Sequence, residues 1–562
     1  GALPAVEGMA QLKWLEQEAT FYELPELVKE CRLAHKPLDV INIMQLLNGQ
    51  KNLSGMDMRG LTMSDIDFSN SSLYHAQLQN ADMKKIVAHE ANFRGAEMKG
   101  VDLTDADLTN ADLRDCNLEN AILVRTNFTG AKMDSVVLTG AQCEGANMTG
   151  ACMVSSNCTR TNFNKAKLDN ADMTSSTLLA ATCIEASMVA VTMNSINAKE
   201  TNFTKAVMTN ACVKKAKFEN VDFSHTKLND ADFKSSKLTS VKFVHASLIG
   251  TKLDKVVVKN SSFTDSNLSN VHAHSCSFDN VNFDGNTKLD GADLTSSLIG
   301  TCTFDGASLI GTILDSVQAP KIDLRGLDLS SMVANSANFD GGIFQDAILN
   351  NANLQGSSLN NSTFVGSSMN NICMDKVQAK VVDFAGAQLQ KTHAHEAKFV
   401  ECNFSEIDAT EADFTKSHMT TCQLNGSVFT NSVLQSVKFH YSDVHGANFI
   451  DANVKSADFQ HVKNFKTVQT NHLEGVILNG LDLTGMDLGG RNLKGAQLQE
   501  TKLSGVNFEG ANLSGIQGLD AVKAGGHLAK SMRSCGLTSK EMKAGGYTAT
   551  EMKAGGYTAT EM

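Results

Sequence analysis

Proline is almost missing from this chain: there are four in 562 residues, three within the first 37, and Pro320 stands alone beyond them. A long chain that avoids proline is one whose backbone N–H groups are needed as donors, as in an extended hydrogen-bonded ladder. Aromatic residues are 6% of the total with a single Trp, which excludes a wide core built on large rings. No apolar run is long enough to span a bilayer as a helix, and no stretch has the layout of a signal peptide. A basic excess is lacking too. The net charge is −12, which argues against a nucleic-acid-binding surface. Phosphate-cradling glycine loops, nucleophile elbows and zinc-ligand spacings are also absent from the sequence.

What the chain has is a beat of five. Leu53, Met58, Met63, Phe68, Leu73, Leu78 and Met83 open a series in which a large apolar residue follows a small one by two places. Val101-Asp102-Leu103-Thr104-Asp105 shows the unit: small residue at i−2, Asp or Asn at i−1, apolar centre at i, and polar or small residues at i+1 and i+2. Five fits neither the helical period of 3.6 nor the strand period of 2. It reads as two plus three, with i−2 and i pointing inward and the other residues turning a corner. A chain that turns every five residues coils, and its coils stack only if each pairs its backbone groups with the next.

The phenylalanines set the number of sides. Phe163, Phe203, Phe223, Phe243, Phe263 and Phe283 lie on one track of spacing twenty, with Cys183 in the gap, which predicts four sides per coil. Centres run from Leu53 to Phe283, slip by one residue at Asp284–Lys288, and resume from Leu289 to Phe459. The Phe track survives the slip, passing to Phe304, Phe344, Phe364, Phe384 and Phe404. After an irregular stretch, Gln460–Ile477, centres run from Leu478 to Leu513. Some 90 pentads at four per coil predict about 22 coils and, at about 4.8 Å each, a rod of roughly 100 Å.

These pentads resemble the A-(D/N)-L-x-x pattern of pentapeptide-repeat proteins over about residues 51–515. The resemblance implies an all-β solenoid, a right-handed quadrilateral β-helix of pentapeptide repeats, here with short α-helical N- and C-terminal segments. The organisation predicted is a helical N-terminal segment (1–50), two registers of coil (51–283 and 284–459), an interruption (460–477), final coils (478–515) and a decapeptide array (516–562). Centres such as Ala88, Ala198, Ala273 and Ala379 depart from the pattern and predict local thinning of the core.

Of thirteen cysteines, Cys143, Cys158 and Cys183 fall at centres, and Cys116, Cys276, Cys302, Cys402 and Cys422 at i−2. Free cysteine packs as a small hydrophobe, so these are read as core residues of a protein in the cytoplasm or another reducing compartment, not a secreted one. Asn-x-Ser/Thr matches such as Asn127-Phe128-Thr129 are by-products of the repeat. The strongest chemical candidates are His272-Ala273-His274, with Cys276 nearby, and His393-Ala394-His395. Each pair occupies i−1 and i+1 and points outward. No third ligand recurs beside either, so they are read as surface histidines and no metal, cofactor or catalytic site is assigned. The abundant Asp at i−1 is read as a corner residue.

Both ends depart from the pentad. Leu12, Leu15, Ala19 and Tyr22 have helical spacing, Pro25 is placed to open a second helix through Leu33, and a third, Ile41 to Leu47, stops at Asn48-Gly49. The segment from Leu12 to Leu27 resembles the last helices of BTB domains of the potassium-channel-tetramerisation type. Either the preceding body of such a domain is absent from this chain, or the helices cap the first coil. At the other end stand four decapeptides: Lys523–Met532, Arg533–Met542, Lys543–Met552 and Lys553–Met562. Thr548-Ala549-Thr550-Glu551 has capping-box spacing, and Gly555-Gly556 ends the unit. Each decamer reads as a helix of little more than one turn. The array either stacks on the coil or a partner, or forms a flexible tail.

The function this predicts is a non-catalytic scaffold: a rod that binds other proteins in a larger assembly, with no nucleic acid and no membrane insertion. If the BTB resemblance extends upstream, it implies an adaptor for a cullin-type ubiquitin ligase. The family resemblance also implies a DNA mimic acting on topoisomerase, from which this chain departs in length, charge density and helical ends.

Overall fold

The structure, a computed structural model, describes residues 40–562, which divide into two compact units that meet in sequence at Lys227 and Leu228. The predicted helices around Leu12–Tyr22 and Pro25–Leu33, and the segment likened to a BTB domain, lie outside the described residues.

In the first unit, α1 (Val40–Asn48) buries Ile43 and Leu47. Its exit is fixed by Lys51 N–H donating to the Leu46 carbonyl at 3.0 Å. The pentads then follow, and one of them accounts for all five of its N–H groups. Val101 donates to Met98 O (3.1 Å), closing the corner. Asp102 donates back to Ala81 O (3.0 Å), Leu103 forward to Ile122 O (2.8 Å), and Asp105 forward to Val124 O (3.0 Å). Thr104 N–H is taken by the Asp102 carboxylate at 3.0 Å. Asp or Asn at i−1 is thus the acceptor for the one amide that neither corner nor ladder serves.

The corner is a four-residue turn whose third residue, i+2, has positive φ: 57° at Asn80 and Asn110, 59° at Asp105, 68° at Gly100. That is the requirement of a type II turn, and it explains why Gly, Asn and Asp crowd this position. Parallel bridges link Asp82 to Asp102 and Asp102 to Ile122. The step is twenty residues, so each coil has four sides, as the Phe spacing predicts. On one side, successive coils widen into β1 (Asn197–Lys199) and β2 (Lys217–Glu219), paired in parallel register.

The second unit repeats the construction, with β3 (Lys237–Thr239), β4 (Val257–Ser262), β5 (Ser277–Asn282), β6 (Leu298–Ile299) and β7 (Cys302–Thr303) on stacked coils. Further along, β8 (Gln378–Lys380), β9 (Lys398–Val400) and β10 (His418–Thr420) form a three-stranded parallel sheet. At Asp284–Lys288 the ladder step lengthens to 21, pairing Asn267 with Lys288 and His272 with Asp293. The extra residue is absorbed at a corner, where buried Thr287 donates its hydroxyl to Phe263 O (2.9 Å) or Asp284 O (2.8 Å). The core column does not break: Phe283 stacks on Phe263 at 5.2 Å and on Phe304 at 5.1 Å. Around the irregular stretch, a 3-10 turn at Phe465–Thr467 follows Asn464 at φ 61°. Pairings of Asn448 with Gln469 and Asp458 with Ile477 add one residue and then remove one. Regular pairing is back by Leu473, buried and bonded to Asn492 O at 2.8 Å, one pentad before Leu478.

Two of the Ala centres stand in register with a Phe on the next coil. Ala198 pairs with Phe218, and Ala379 with Phe399. Those rings pack edge-on against Phe223 (5.3 Å) and Phe384 (6.0 Å).

The decapeptides are ordered helices and not a loose tail: α2 (Leu519–Ala524), α3 (Ala529–Ser534), α4 (Ser539–Ala544) and α5 (Ala549–Ala554). Capping boxes at Thr538/Glu541 and Thr548/Glu551 open α4 and α5. Tyr547 OH donates to His527 O (2.8 Å) and Tyr557 OH to Leu537 O (2.7 Å), so two decamers make one turn of twenty residues. At Gly555 a Cβ would come within 2.8–2.9 Å of Ala529, and this glycine lets successive turns approach.

Gly306 and Gly311 occupy successive corners, both with positive φ, but only Gly306 faces a neighbouring backbone: a Cβ there would sit 2.8 Å from Gly285 O. Gly311→Ala is therefore expected to cost about 1–2 kcal/mol for the left-handed backbone alone. Gly306→Ala adds a steric clash and lowers the melting temperature further. Equal melting temperatures for the two variants would contradict this packing.

Candidate interaction surfaces

The outward positions i−1 and i+1 of each coil form flat columns. Neighbouring coils join through them: Asn127 donates its amide to Asp107 (3.1 Å) and Asn147 to Asn127 (3.3 Å). Inward hydroxyls at i−2 do the same from within, as Thr126 to Leu103 O (2.7 Å) and Thr161 to Leu138 O (2.8 Å). Polar groups that would otherwise be costly to bury are thereby satisfied.

The predicted histidine pairs fit this scheme. His272 and His274 have ring centroids 6.3 Å apart and steeply inclined planes. His274 Nε2 lies 2.8 Å from Asp293 and Nδ1 3.5 Å from Asp254, one coil to either side. Cys276 does not join them. It is buried, with Sγ donating to Leu253 O at 2.8 Å. His393 and His395 are 6.0 Å apart, and His395 reaches Asp413 at 2.9 Å and Asp375 at 3.8 Å. The contact recurs in His89–Asp107 and His440–Asp458, both 2.7 Å, and so belongs to the repeat. Among the described residues no group of three His, Cys, Asp or Glu is placed to hold a metal ion.

The Asp413 hydrogen bond raises the pKa of His395, outweighing partial burial. Burial opposes the charge on Asp413, but hydrogen bonds from Thr415 and His395 hold its pKa below the usual value.

The described cysteines are free thiols. Cys143, Cys158 and Cys183 are fully enclosed, and burial pushes Cys158 up to about 12. Cys116, Cys276, Cys402 and Cys422 are also buried. Cys302 is the exception to the inward assignment: it is half-buried, on the coil that pairs across the 21-residue step, opposite Val281.

Several outward cations meet carboxylates one coil away. Arg125 forks onto Asp105 with both bonds at 2.7 Å, Lys84 reaches Asp102 at 3.1 Å, Lys99 Glu119 at 3.0 Å, and Lys199 Glu219 at 2.9 Å. Each exposed pair contributes only about 0.2–1 kcal/mol.

Features invisible in the pentad pattern stand out against these columns. Tyr441, 56% exposed, stacks on His461 at 5.0 Å. A cavity of about 300 Å³ beside the irregular stretch is lined by Asp451, Lys455, His472 and Glu474. Another, of about 410 Å³, lies between decamer turns with Lys523, His527, Leu528 and Tyr547 on its walls. No helix among the described residues is long and apolar enough to cross a membrane.

A family model described as pentapeptide repeats matches residues 52–84, 71–110, 102–140, 111–150, 141–178, 186–224, 216–254, 335–371 and 477–515. A second, described as a pentapeptide repeat region, matches residues 392–467, and together the two cover more than half of the chain. Comparison with curated proteins gives no match. Among solved structures, HetL, a pentapeptide repeat protein involved in heterocyst differentiation regulation in the cyanobacterium Nostoc sp. strain PCC 7120, is 20% identical. The alignment covers 42% of this chain and 96% of HetL, with a TM-score of 0.27. Trypsin-treated QnrB1, a plasmid-mediated fluoroquinolone resistance protein, is 20% identical over 33% of this chain and 89% of its own, with a TM-score of 0.26. Rfr23 from the cyanobacterium Cyanothece 51142 is 22% identical over 23% and 92%, with a TM-score of 0.15.

His395 carries a raised pKa through Asp413, so this contact stabilises the fold fully below the unfolded value near 6.5 and is lost as pH rises through the folded pKa. Asp413→Asn is expected to return the His395 titration, followed by NMR, towards its ordinary midpoint. An unchanged midpoint would show that Asp413 does not set it.

Proposed function

Because the chain belongs to the pentapeptide-repeat family, we propose that it is a non-catalytic scaffold whose coil binds other proteins within a larger assembly. The observation that carries this reading is the use of its reactive side chains. Asp and Asn at i−1 cap corner amides, and His274 and His395 tie coils together. Groups engaged in this way are not free to act as general acids or bases, which need access to a substrate proton. What the coil offers instead is a set of flat faces built on a regular ladder, suited to positioning partners. The stretch around the 3-10 turn Phe465–Thr467, with its 300 Å³ cavity, and the flat faces are the contact surfaces of this proposal.

Thiols enclosed in the core, such as Cys143 and Cys158, support placement in a reducing compartment, where they persist unpaired. Cross-linking the native protein in cell extract, followed by mass spectrometry, tests the scaffold reading. Cross-links to other proteins from the coil faces are expected. A protein that migrates alone as a monomer, without such links, would overturn it.

A further inference from the structure

Cysteines recur at inward positions of the coil, but only one pair of them is stacked on consecutive turns. Among the described cysteines, Cys402 and Cys422 alone are separated by the twenty-residue coil step. They occupy i−2 just after β9 and β10, and Gln423 N–H, donating to Cys402 O at 2.9 Å, joins their coils. Strands one coil apart hold their Cα atoms about 4.8 Å from each other. A disulfide spans Cα distances of about 4.4–6.8 Å with Cβ atoms about 3.8 Å apart. Bridging this pair therefore asks the two side chains to lean together by about 1 Å, and the coils keep their spacing.

Little holds either sulfur away from the other. A polar group at i−2 donates to the carbonyl twenty-three residues earlier, as Ser442 does to Met419 O at 2.5 Å, Thr126 to Leu103 O at 2.7 Å and Cys276 to Leu253 O at 2.8 Å. Cys402 and Cys422 make the same contact at 3.3 and 3.5 Å, and each divides it with a second carbonyl, Val400 O or Thr420 O, at 3.5 Å. A thiol is a weak donor at any length. Val400 and Thr420 are half-buried residues of the outer wall, so the two thiols, each 1% exposed, lie at the edge of the core. Cys143, Cys158 and Cys183, by contrast, are centres of the column.

The two thiols also differ in acidity. Hydrogen bonding by the Cys422 thiol holds Cys402 below its ordinary value, whereas burial pushes Cys422 well above it. The thiolate is the form that reacts with oxidants. Burial raises the outward-facing Cys152 and Cys373, neither of which has a second thiol one coil away.

We propose that Cys402 and Cys422 form an oxidation site, at which a small peroxide converts the two stacked thiols into a disulfide that ties consecutive coils. The Cys402 thiolate attacks one oxygen of the peroxide, the O–O bond breaks, and the other oxygen leaves as hydroxide and takes up a proton. The Cys422 sulfur then displaces the oxygen of the resulting sulfenic acid as a second water, and the S–S bond forms. Two thiols lose two electrons and two protons, and one peroxide becomes two waters. Exchange with a thiol reductant reverses the change, so in a reducing compartment the pair rests as thiols. The bond closes a loop of one coil and restricts the unfolded chain, which stabilises this part of the molecule. The site stands independently of the scaffold reading.

The test treats the reduced full chain with hydrogen peroxide, alkylates it in denaturant and analyses its tryptic peptides by mass spectrometry. Lys416 lies between the two cysteines, so the disulfide shows as two peptides joined with the loss of two hydrogen atoms, and dithiothreitol separates them. A Cys402–Cys422 link is expected as the main disulfide product, with a melting temperature raised by a few degrees. Cys402→Ser and Cys422→Ser supply the corner hydroxyl that Ser442 already carries, so each is expected to keep the fold and to lose both the link and the rise. Circular dichroism checks the fold of each variant. Oxidation confined to Cys152, Cys212 and Cys373, a disulfide that joins other cysteines in preference, or a linked protein that melts no higher than the reduced one would overturn the proposal.

Discussion

Everything in this molecule depends on the hydrogen bond from one coil's backbone to the next. The Val101–Asp105 pentad sends one amide back twenty-one residues and two forward nineteen, closes one corner, and gives the last amide to Asp102. With no amide to spare, the near absence of proline follows directly. So does the narrow choice at i+2, where a positive φ selects Gly, Asn and Asp and tolerates others such as Lys85 and Arg125. The left-handed conformation costs about 1–2 kcal/mol for an ordinary residue, and the ladder and the buried column offset it.

The ladder also decides the chemistry of the surface. In-register stacking places each outward side chain over its counterpart one coil away, so a repeated Asn forms its own chain of amides, as at Asn127 and Asn147. A carboxylate set beside a cation becomes a tie between coils, as at Asp105 and Arg125. The geometry that makes the fold economical therefore turns potential catalytic groups into structural ones.

Much of this was legible in the sequence because the pentad is a local rule repeated in phase. The four sides, the Phe column across Asp284–Lys288, the inward cysteines other than Cys302 and the capping boxes of the decamers all follow from spacing and residue type. The early return of regular pairing at Leu473 was not legible, because the 3-10 turn at Phe465 shifts the beat without leaving a pentad signature. Nor was the edge-on packing of Phe218 on Phe223 and of Phe399 on Phe384, because ring orientation is not encoded in the spacing. Tyr441 and His461 were hidden for a further reason: corner positions accept almost any polar or exposed residue, so pattern carries no information about what a corner displays.

The helical decamers close a turn in twenty residues, the same count as four pentads, with Tyr547 bonded to His527 and Tyr557 to Leu537. Strand-like coil and helical coil thus share one unit of length. A duplication or deletion of twenty residues within either region returns every following side chain to its original face. A gene encoding such a chain can therefore lengthen or shorten by whole turns while keeping the pattern displayed on each side, and only changes of other sizes need a compensating bulge like that at Thr287.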